Sequence, residues 1–254
     1  MDPQATVFLT RPAGRNEALA GRLRAAGLAV LLAPALEIHS LPTPRPQPSA
    51  GSLHLFVSRQ AVDAYFSSVR TSWPTGAWAA AVGGATAQAL RAFVPASQVL
   101  VPDENAEPDS ESLLALIDGK ALSPGQAHIL RATQGRDWMA EQLRLRGWSV
   151  SCHALYERTP VVLDRTACEA LAGPAGHVLL VTSLEALDAI DGSLRHHHLA
   201  WPARLEAVTL HARMARRLQC WYADRPADAL HVTLSAPDDA ALFQAILAAS
   251  RLLH

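Results

Sequence analysis

The stretch ATVFLTRPAGRNEALAGRLRAAGLAVLLAP, residues 5–34, contains one complete folding unit. Its first six residues are mainly apolar or β-branched, which predicts a buried strand. The middle predicts a helix with Ala18, Leu19 and Leu23 on one side, ending at Gly27. LAVLLAP predicts a second strand, closed by Pro34. A strand, a helix and a strand in this order predict a parallel sheet with a right-handed crossover.

The same alternation continues along the rest of the chain. Further strands are predicted at 53–57, 77–82, 98–101, 127–131, 148–155, 177–182, 205–209 and 229–233. Helices are predicted at 59–69, 85–93, 110–117, 136–146, 184–191, 212–219 and 238–250. The sequence therefore predicts an α/β protein built on parallel sheets.

The two halves of the chain resemble each other. LFVSRQAVDAY, residues 55–65, returns as LLVTSLEALDAI, residues 179–190, with Ser58 aligned on Ser183. LTRPAGRNEALAGRLRAAGLAV, residues 9–30, returns as LRATQGRDWMAEQLRLRGWSV, residues 130–150. Such a repeat predicts two similar α/β lobes.

Two segments interrupt the alternation. LPTPRPQPSAG, residues 41–51, has four prolines in eleven residues and predicts an extended connector. YERTPVVLDRTA, residues 156–167, is strand-like, with no helix before it. The two segments could pair as a two-stranded hinge, which would leave two lobes with a cleft between them.

Composition excludes several classes of function. Half of the residues are apolar, and 22 Lys+Arg nearly balance 23 Asp+Glu, so no overall basic field exists to hold nucleic acid. The three cysteines form no CxxC pair, which favours a reducing compartment without a disulfide or metal framework. The N-terminus lacks a signal-peptide pattern, and no apolar run approaches the ~20 residues of a membrane span. We therefore expect a cytoplasmic protein with no nucleic-acid or membrane partner.

Common cofactor and nucleophile motifs are absent from the sequence. VGGATA, residues 82–87, lacks GxGxxG spacing, and no GxxxxGKS or GxxxxGKT occurs, so nucleotide binding is poorly supported. Neither GxSxG nor HExxH occurs. The run His196, His197 and His198 could bind a metal, but it has no Cys or carboxylate partner at ligand spacing. That pattern favours a solvated loop.

Small polar residues stand where five predicted strands pass into helices, at residues 10–11, Ser58, residues 83–86, residues 133–136 and Ser183. Such turns direct backbone N–H groups toward an anion at the positive end of a helix. They also lie at the carboxyl ends of strands, where open α/β sheets bind ligands. Either serine alone could equally be a helix N-cap with no other role. Together the turns favour a site for phosphate or carboxylate groups.

Tyr156 stands at a strand end beside Glu157 and Arg158, where the chain is expected to cross between the lobes. A phenol keeps its proton at neutral pH and can donate it, or a hydrogen bond, to a leaving hydroxyl. The alternative is an interface tyrosine that anchors the hinge. Spacing alone does not decide between the two.

Eight segments, in order, resemble those of the uroporphyrinogen-III synthase family: LTRP, GLAVLLAPALEI, FVSRQAVDAY, VGGATAQAL, SESLLALI, GRDWMAEQLRLRGWSV, LYER and VTSLEAL. The resemblance covers nearly the whole chain. No single segment is diagnostic, and it is their order and spacing that carry the resemblance.

The resemblance implies two α/β lobes joined by a two-stranded ladder, with the active site in the cleft. It places residues 1–37 and 171–254 in the first lobe, 52–155 in the second, and 38–51 and 156–170 in the connectors. It implies a cyclising lyase that converts hydroxymethylbilane into uroporphyrinogen III, expelling water and inverting ring D. It implies no cofactor and no metal.

The resemblance also implies roles for single residues. Tyr156 in LYER matches the tyrosine proposed as the acid that assists hydroxide departure. Ser58, Thr86 and Ser183 match residues thought to hold the carboxylates of the substrate, and Gly83 belongs to the same turn as Thr86.

Two further anion contacts are expected. Arg11 in LTRP is the first. The second of the family's GxxTA turns is replaced here by HARMA, residues 211–215, so no threonine stands there. His211 is expected to substitute as a donor to a carboxylate.

Two other functions fit the same pattern. One is a non-catalytic, two-lobed binding protein for a small polycarboxylate ligand, and the other is an inactive relative of the family. For the enzyme, we expect hydroxymethylbilane as the substrate, a monomer, and at most a transient contact with the preceding deaminase.

Overall fold

A computed structural model describes residues 5–69, 72–103 and 110–253 of the chain. The chain divides into two compact units. The first unit comprises residues 1–38 and 159–254, and the second comprises residues 39–158. Within the described residues, no helix is both long and apolar enough to cross a bilayer. The sequence predicted no signal peptide at the N-terminus, and the first four residues of that terminus lie outside the described ranges.

Strands and helices alternate along the described residues. The strands are β1 (Thr6–Leu9), β2 (Ala29–Leu32), β3 (Leu36–Ser40), β4 (Leu53–Phe56), β5 (Trp78–Ala81), β6 (Val99–Leu100), β7 (Gln126–Ala132), β8 (Ser149–Pro160), β9 (His177–Val181), β10 (Leu205–Thr209) and β11 (Leu230–Leu234). The helices are α1 (Glu17–Ala25), α2 (Arg59–Phe66), α3 (Gly84–Leu90), α4 (Ser110–Gly119), α5 (Trp138–Leu145), α6 (Arg165–Ala172), α7 (Leu184–His196), α8 (Ala212–Trp221) and α9 (Asp239–Arg251).

The first unit is a five-stranded parallel sheet in the order β11-β10-β9-β1-β2. Alternate residues of β1 point to opposite faces, as in any strand. Val7 and Leu9 pack with α1 and α9, through side chains such as Leu23 and Ile246. Phe8 packs in a second cluster with residues of α6, α7 and α8. Helices therefore cover both faces of this sheet.

The second unit is a six-stranded sheet in the order β3-β8-β7-β4-β5-β6. Its strands from β8 to β6 are parallel to one another. Leu53 and Leu55 of β4 pack with α4 and α5 on one face. On the other face Phe56 contacts Tyr65 of α2, with 5.4 Å between the ring centroids. This sheet is also covered on both faces.

The edge strand β3 runs antiparallel to β8. Leu41 donates its N–H to the carbonyl of Leu155, and Val161 donates its N–H to the carbonyl of Ala35. Residue numbers therefore rise along one strand as they fall along the other. The boundary between the two units falls within β3 and within β8, after Ile38 and after Arg158. The segments that pair are therefore residues 35–41 and 155–161, rather than the predicted 41–51 and 156–167.

The internal repeat extends to the backbone of two helix ends. Gly27 after α1 and Gly147 after α5 have φ of +86° and +85°. Each donates its N–H to the carbonyl three residues before it at 2.9 Å, and the following residue bonds to Leu23 or Leu143 at 3.1 Å. This is the Schellman arrangement, whose left-handed position favours glycine. The helices of the two repeated segments, α1 and α5, therefore end in the same way.

The predicted α/β class with parallel sheets is confirmed, but one prediction for a single segment is wrong at its end. The sequence predicted residues 156–167 as strand-like, whereas α6 begins at Arg165. Asp164 caps α6 by accepting the N–H of Ala167 at 2.7 Å. The predicted solvated loop at the three histidines is confirmed in part, because His196 is the last residue of α7 while His197 and His198 form the turn after it.

Candidate active site

A cavity of about 410 Å³ opens in the second unit, at the carboxyl ends of β4 and β7 and along β8. The apolar side chains that line it are Leu55, Val57, Val82, Ile129, Ala132, Trp138 and Met139. The polar lining comprises Ser58, Ser110, Glu111, Arg131, Gln134, Arg136, Tyr156 and Arg158, together with Gly135. We call this cavity the β4–β8 pocket. It combines an apolar wall with groups that can donate hydrogen bonds, as small-molecule sites do.

Tyr156 reaches the pocket because β8 carries a bulge. Arg131 of β7 pairs with Ala154, but the next residue, Ala132, pairs with Tyr156, so Leu155 is an extra residue. An inserted residue changes the face on which the following side chains point. Tyr156 is 2% exposed, and its carbonyl accepts the N–H of Thr133 at 3.0 Å. The bulge thus fixes the backbone that carries the phenol.

Ser58 holds two partners at the N-terminus of α2. Its Oγ accepts the N–H of Ala61 at 3.2 Å, which makes it the N-cap. The same Oγ lies 2.9 Å from the hydroxyl oxygen of Tyr156. The sequence presented capping and ligand binding as alternatives for Ser58. The structure instead joins the cap to the candidate acid.

Three arginines give the pocket a positive character. Arg131 pairs with Asp137 at 2.8 Å and is 17% exposed, while Arg136 and Arg158 also line the cavity. Among the described lining residues, Glu111 is the one carboxylate. An excess of fixed positive charge in a recess attracts anions.

The turn after β5 occupies the next strand end. Gly83 is the N-cap of α3, and Thr86 lies in the first turn of that helix. Thr86 is 7% exposed, so it is packed into the second unit. In the order β8-β7-β4-β5, Ser58 and this turn follow the ends of the neighbouring strands β4 and β5. Tyr156, predicted at a strand end, instead lies within β8, beside the last residue of β7.

The other three predicted residues lie in the first unit. Arg11 follows β1, Ser183 follows β9 and His211 follows β10, and these three strands are adjacent and parallel. Ser183 caps α7 by accepting the N–H of Ala186 at 3.1 Å. His211 is exposed and caps α8 through its Nδ1, which accepts the N–H of Arg213 at 3.2 Å. The structure therefore brings the predicted residues together as two groups, one in each unit.

Arg11 already has an anionic partner within its own unit. Its Nη1 lies 2.8 Å from Asp239, and its Nε donates to Asn16 at 3.3 Å. The Nη2 group is buried and has no hydrogen-bond partner in the described residues. Two nitrogens of this guanidinium therefore have partners, and the third is unsatisfied.

Other polar clusters are less suited to chemistry. His197 contacts the carbonyl oxygen of Leu163 through Nε2 at 2.9 Å, and no group of three or more ligands suited to a metal occurs in the described ranges. A second cavity of about 440 Å³ lies along the proline-rich segment 41–47. Its Arg45 donates to backbone carbonyls, including that of Leu41 at 2.7 Å. The β4–β8 pocket remains the better candidate.

Sequence reasoning missed two arginines of the pocket, Arg131 and Arg158. Arg158 could have been found, since it stands two residues after Tyr156 and strand side chains repeat with a period of two. Arg131 is the last residue of the predicted strand 127–131, and this position gave a weaker signal. Trp138 is half-buried and also lines the pocket.

Comparison with known proteins shows which family the chain resembles. The family described as uroporphyrinogen-III synthase HemD matches residues 17–225. A uroporphyrinogen-III synthase of Salmonella typhimurium is 30% identical over 162 residues, which is 60% of this chain. The match spans 65% of that relative, just under two thirds of its length.

Two solved structures share the fold. The uroporphyrinogen-III synthetase of Helicobacter pylori aligns over 99% of this chain and 100% of its own, with a TM-score of 0.60 and 16% identity. A mutant uroporphyrinogen III synthase of Thermus thermophilus aligns over 97% and 99%, with a TM-score of 0.53 and 18% identity. At such identities the likeness is one of fold.

The fold and the pocket define an α/β protein of two units, each built mainly on parallel strands, with a pocket lined by a tyrosine, serines and arginines in the second unit. Its family follows from the sequence match over residues 17–225. The chain belongs to the uroporphyrinogen-III synthase family, which confirms the resemblance found in its motifs.

Proposed function

We propose that this protein is a cyclising lyase that converts hydroxymethylbilane into uroporphyrinogen III, with loss of water and inversion of ring D. One observation carries the proposal within a chain of this family. The Tyr156 hydroxyl lies 2.9 Å from Ser58 Oγ inside a pocket lined by three arginines. A proton donor beside fixed positive charge is what an anionic substrate with a leaving hydroxyl requires.

Tyr156 acts as the general acid in this proposal. Its phenol donates a proton to the terminal hydroxyl of the bilane, and the C–O bond breaks with its electron pair leaving in water. The adjacent pyrrole nitrogen delocalises the resulting cation. Attack by the substituted carbon of ring D forms a spirocyclic pyrrolenine, whose rearrangement closes the inverted ring. The proton released on ring closure returns to the phenolate, so the cycle balances.

Charged and backbone donors hold the substrate in this account. The bilane carries eight carboxylates, and Arg131, Arg136 and Arg158 are suited to bind carboxylates of the reacting end. The N-termini of α2 and α3, at Ser58 and Gly83, add backbone N–H groups, with Thr86 in the same turn. Binding of this kind orients the chain so that one ring carbon attacks rather than another.

We propose that residues of both units bind the substrate. Arg11, Ser183 and His211 would take further carboxylates at the strand ends of the first unit. The domain assignment proposed is that expected from the family: 1–37 with 171–254, 52–155, and connectors 38–51 and 156–170. The similar capped helix ends in the two units support two related lobes.

The proposed setting is a cytoplasmic monomer that receives the bilane from the preceding deaminase. The bilane closes spontaneously to the uninverted isomer, so a short path between the enzymes limits that loss. The large exposed apolar side chains of the described residues stand singly on separate segments: Val57, Phe93, Leu145, Val162, Leu234 and Leu252. Scattered residues of this kind are normal on a monomer surface.

The replacement Tyr156→Phe tests this function against a mere binding protein. It is expected to lower kcat by about 100-fold or more, because general acids contribute on that order, while KM changes little. Tyr222→Phe is the matched control, since Tyr222 is buried in the first unit and its hydroxyl donates to Pro202 at 2.9 Å. A binding protein or an inactive relative would show no turnover in any of the three proteins. An unchanged kcat in Tyr156→Phe would remove the proposed acid.

A further inference from the structure

The Ser58 hydroxyl has a limited set of hydrogen bonds to make. A hydroxyl offers one proton and two lone pairs. One lone pair of Ser58 Oγ already accepts the Ala61 N–H at 3.2 Å, which belongs to the first turn of α2. The remaining close partner is the Tyr156 hydroxyl at 2.9 Å. The proton of Ser58 is therefore available to the phenolic oxygen.

The second copy of the serine motif shows that capping alone does not require this contact. Ser183 accepts the N–H of Ala186 at 3.1 Å, as Ser58 accepts that of Ala61. Within the described residues, the Ser183 hydroxyl has no other hydrogen-bond partner. The repeat therefore separates the shared role, the helix cap, from the role found in the second unit alone.

We infer that Ser58 is a positioning residue for Tyr156, rather than a ligand for a substrate carboxylate. Its O–H donates to the phenolic oxygen, which leaves the phenolic proton directed at the pocket. This inference rests on the proposed function, because it assigns Ser58 to the proton donor of that reaction. It also explains why a residue expected to touch the substrate has its hydroxyl engaged by the protein.

The N-terminus of α2 strengthens this arrangement. The Ala61 N–H polarises the Ser58 hydroxyl, and chains of hydrogen bonds reinforce one another. When Tyr156 gives up its proton, negative charge develops on the phenolic oxygen. The Ser58 O–H then makes a charge-assisted hydrogen bond to that oxygen, which is stronger than the bond to the neutral phenol. Ser58 thus stabilises the state that forms as the hydroxide departs.

The bulge in β8 supplies the other half of the geometry. Tyr156 is held from the β8 side by its pairing with Ala132 and by the bond from the Thr133 N–H. Ser58 is held from the β4 side as the cap of α2. The two oxygens therefore meet between rigid elements on both sides, which is the requirement for a positioned acid.

The test compares Ser58→Ala with Ser58→Thr, which keeps both the hydroxyl and the cap. Ser58→Ala is expected to lower kcat on the order of tenfold with little change in KM, because a hydrogen bond to a charged group is lost. Ser58→Thr is expected to retain most of the activity. Asp164→Ala is the control for a lost helix cap, since Asp164 caps α6 in the first unit. Combined with Tyr156→Phe, Ser58→Ala should cause little further loss.

A substrate-free measurement gives an independent readout. The chain has three tyrosines, Tyr65, Tyr156 and Tyr222. In NMR of protein labelled with carbon-13 at the tyrosine Cζ, the signal of Tyr156 is assigned with Tyr156→Phe and reports the hydrogen bonding of its hydroxyl. In Ser58→Ala this signal should shift, because the phenolic oxygen loses its partner, while it should stay close to the wild-type position in Ser58→Thr.

The outcomes separate this inference from the function on which it rests. An unchanged Tyr156 Cζ signal in Ser58→Ala, or a raised KM with kcat intact, would assign Ser58 to the substrate and overturn the inference. A wild-type protein that makes no type III isomer would instead remove the proposed function. The NMR result does not depend on turnover, so the two failures are distinguishable.

Discussion

Three histidines lie side by side on one face of the sheet in the second unit. His54 stands opposite His128 on the neighbouring strand, with 4.8 Å between ring centroids, and His128 Nδ1 lies 3.1 Å from His153 Nε2. Burial lowers the pKa of all three, and for His54 it lowers the pKa to about 3, with His128 as the next cause. The native state therefore keeps this cluster uncharged.

This cluster predicts a loss of stability in mild acid. The pKa of His54 is lower in the folded chain than the ordinary 6.5, so the unfolded chain takes up a proton first as the pH falls. Stability from this residue is fully present above pH 6.5 and is lost between that pH and about pH 3. The lowered pKa of His54 alone should reduce the free energy of unfolding by about 2 kcal/mol as the pH falls from about 7.5 to about 5.

Urea denaturation at the two pH values checks this prediction. His54→Phe should reduce the difference in unfolding free energy between the two pH values by about 2 kcal/mol, because it keeps an aromatic ring and removes the titrating group. Ser52, beside His54, still donates to the carbonyl of Ser49 at 2.7 Å. His196→Gln, at an exposed position, is the matched control. An equal pH dependence in wild type and His54→Phe would contradict the account.

At the scale of elements, α6 shows how a helix can be hidden in a sequence. The apolar run VVL before it has the composition of a strand, and Pro160 favours an extended chain. The helix signal begins later, at Asp164, and its buried positions are Ala167, Cys168 and Leu171. Spacing of three and four residues after an acidic cap is the pattern of a helix N-terminus.

The cap of α6 leads to a prediction for stability. Asp164→Ala should lower the unfolding free energy by about 1 kcal/mol, because the N–H of Ala167 loses its acceptor. Asp164→Asn, which keeps an acceptor oxygen, should lose only a small part of that. Thermal and urea denaturation of the three proteins make the comparison. Equal losses in the two variants would mean that charge, rather than capping, is what Asp164 contributes.

The bulge in β8 is the element-scale feature that the sequence did not reveal. Period-two reasoning over residues 149–160 assumes an unbroken strand, and the extra residue Leu155 breaks that assumption. Nothing in the residue types LYER marks a bulge. The contact between Tyr156 and Ser58 therefore followed from strand register, which depends on partners far away in the chain.

At the scale of the whole molecule, the repeated sequence carried most of the predictable information. Strand–helix alternation and the echo of residues 9–30 in 130–150 predicted parallel sheets, and the glycines after α1 and α5 even share a backbone conformation. The repeat could not predict that Ser58 gains a phenolic partner while Ser183 does not. Local patterns repeat, but the neighbours that a fold brings to them differ.

The family and the pocket together make one claim about the whole molecule, that it closes a linear tetrapyrrole with inversion of one ring. The most direct measurement is the isomer composition of its product. Hydroxymethylbilane is generated in situ by an active deaminase, this protein is added, and the products are oxidised and separated chromatographically. The account predicts type III porphyrin well above the enzyme-free control. Type I porphyrin alone, from folded protein with the deaminase active, would contradict it.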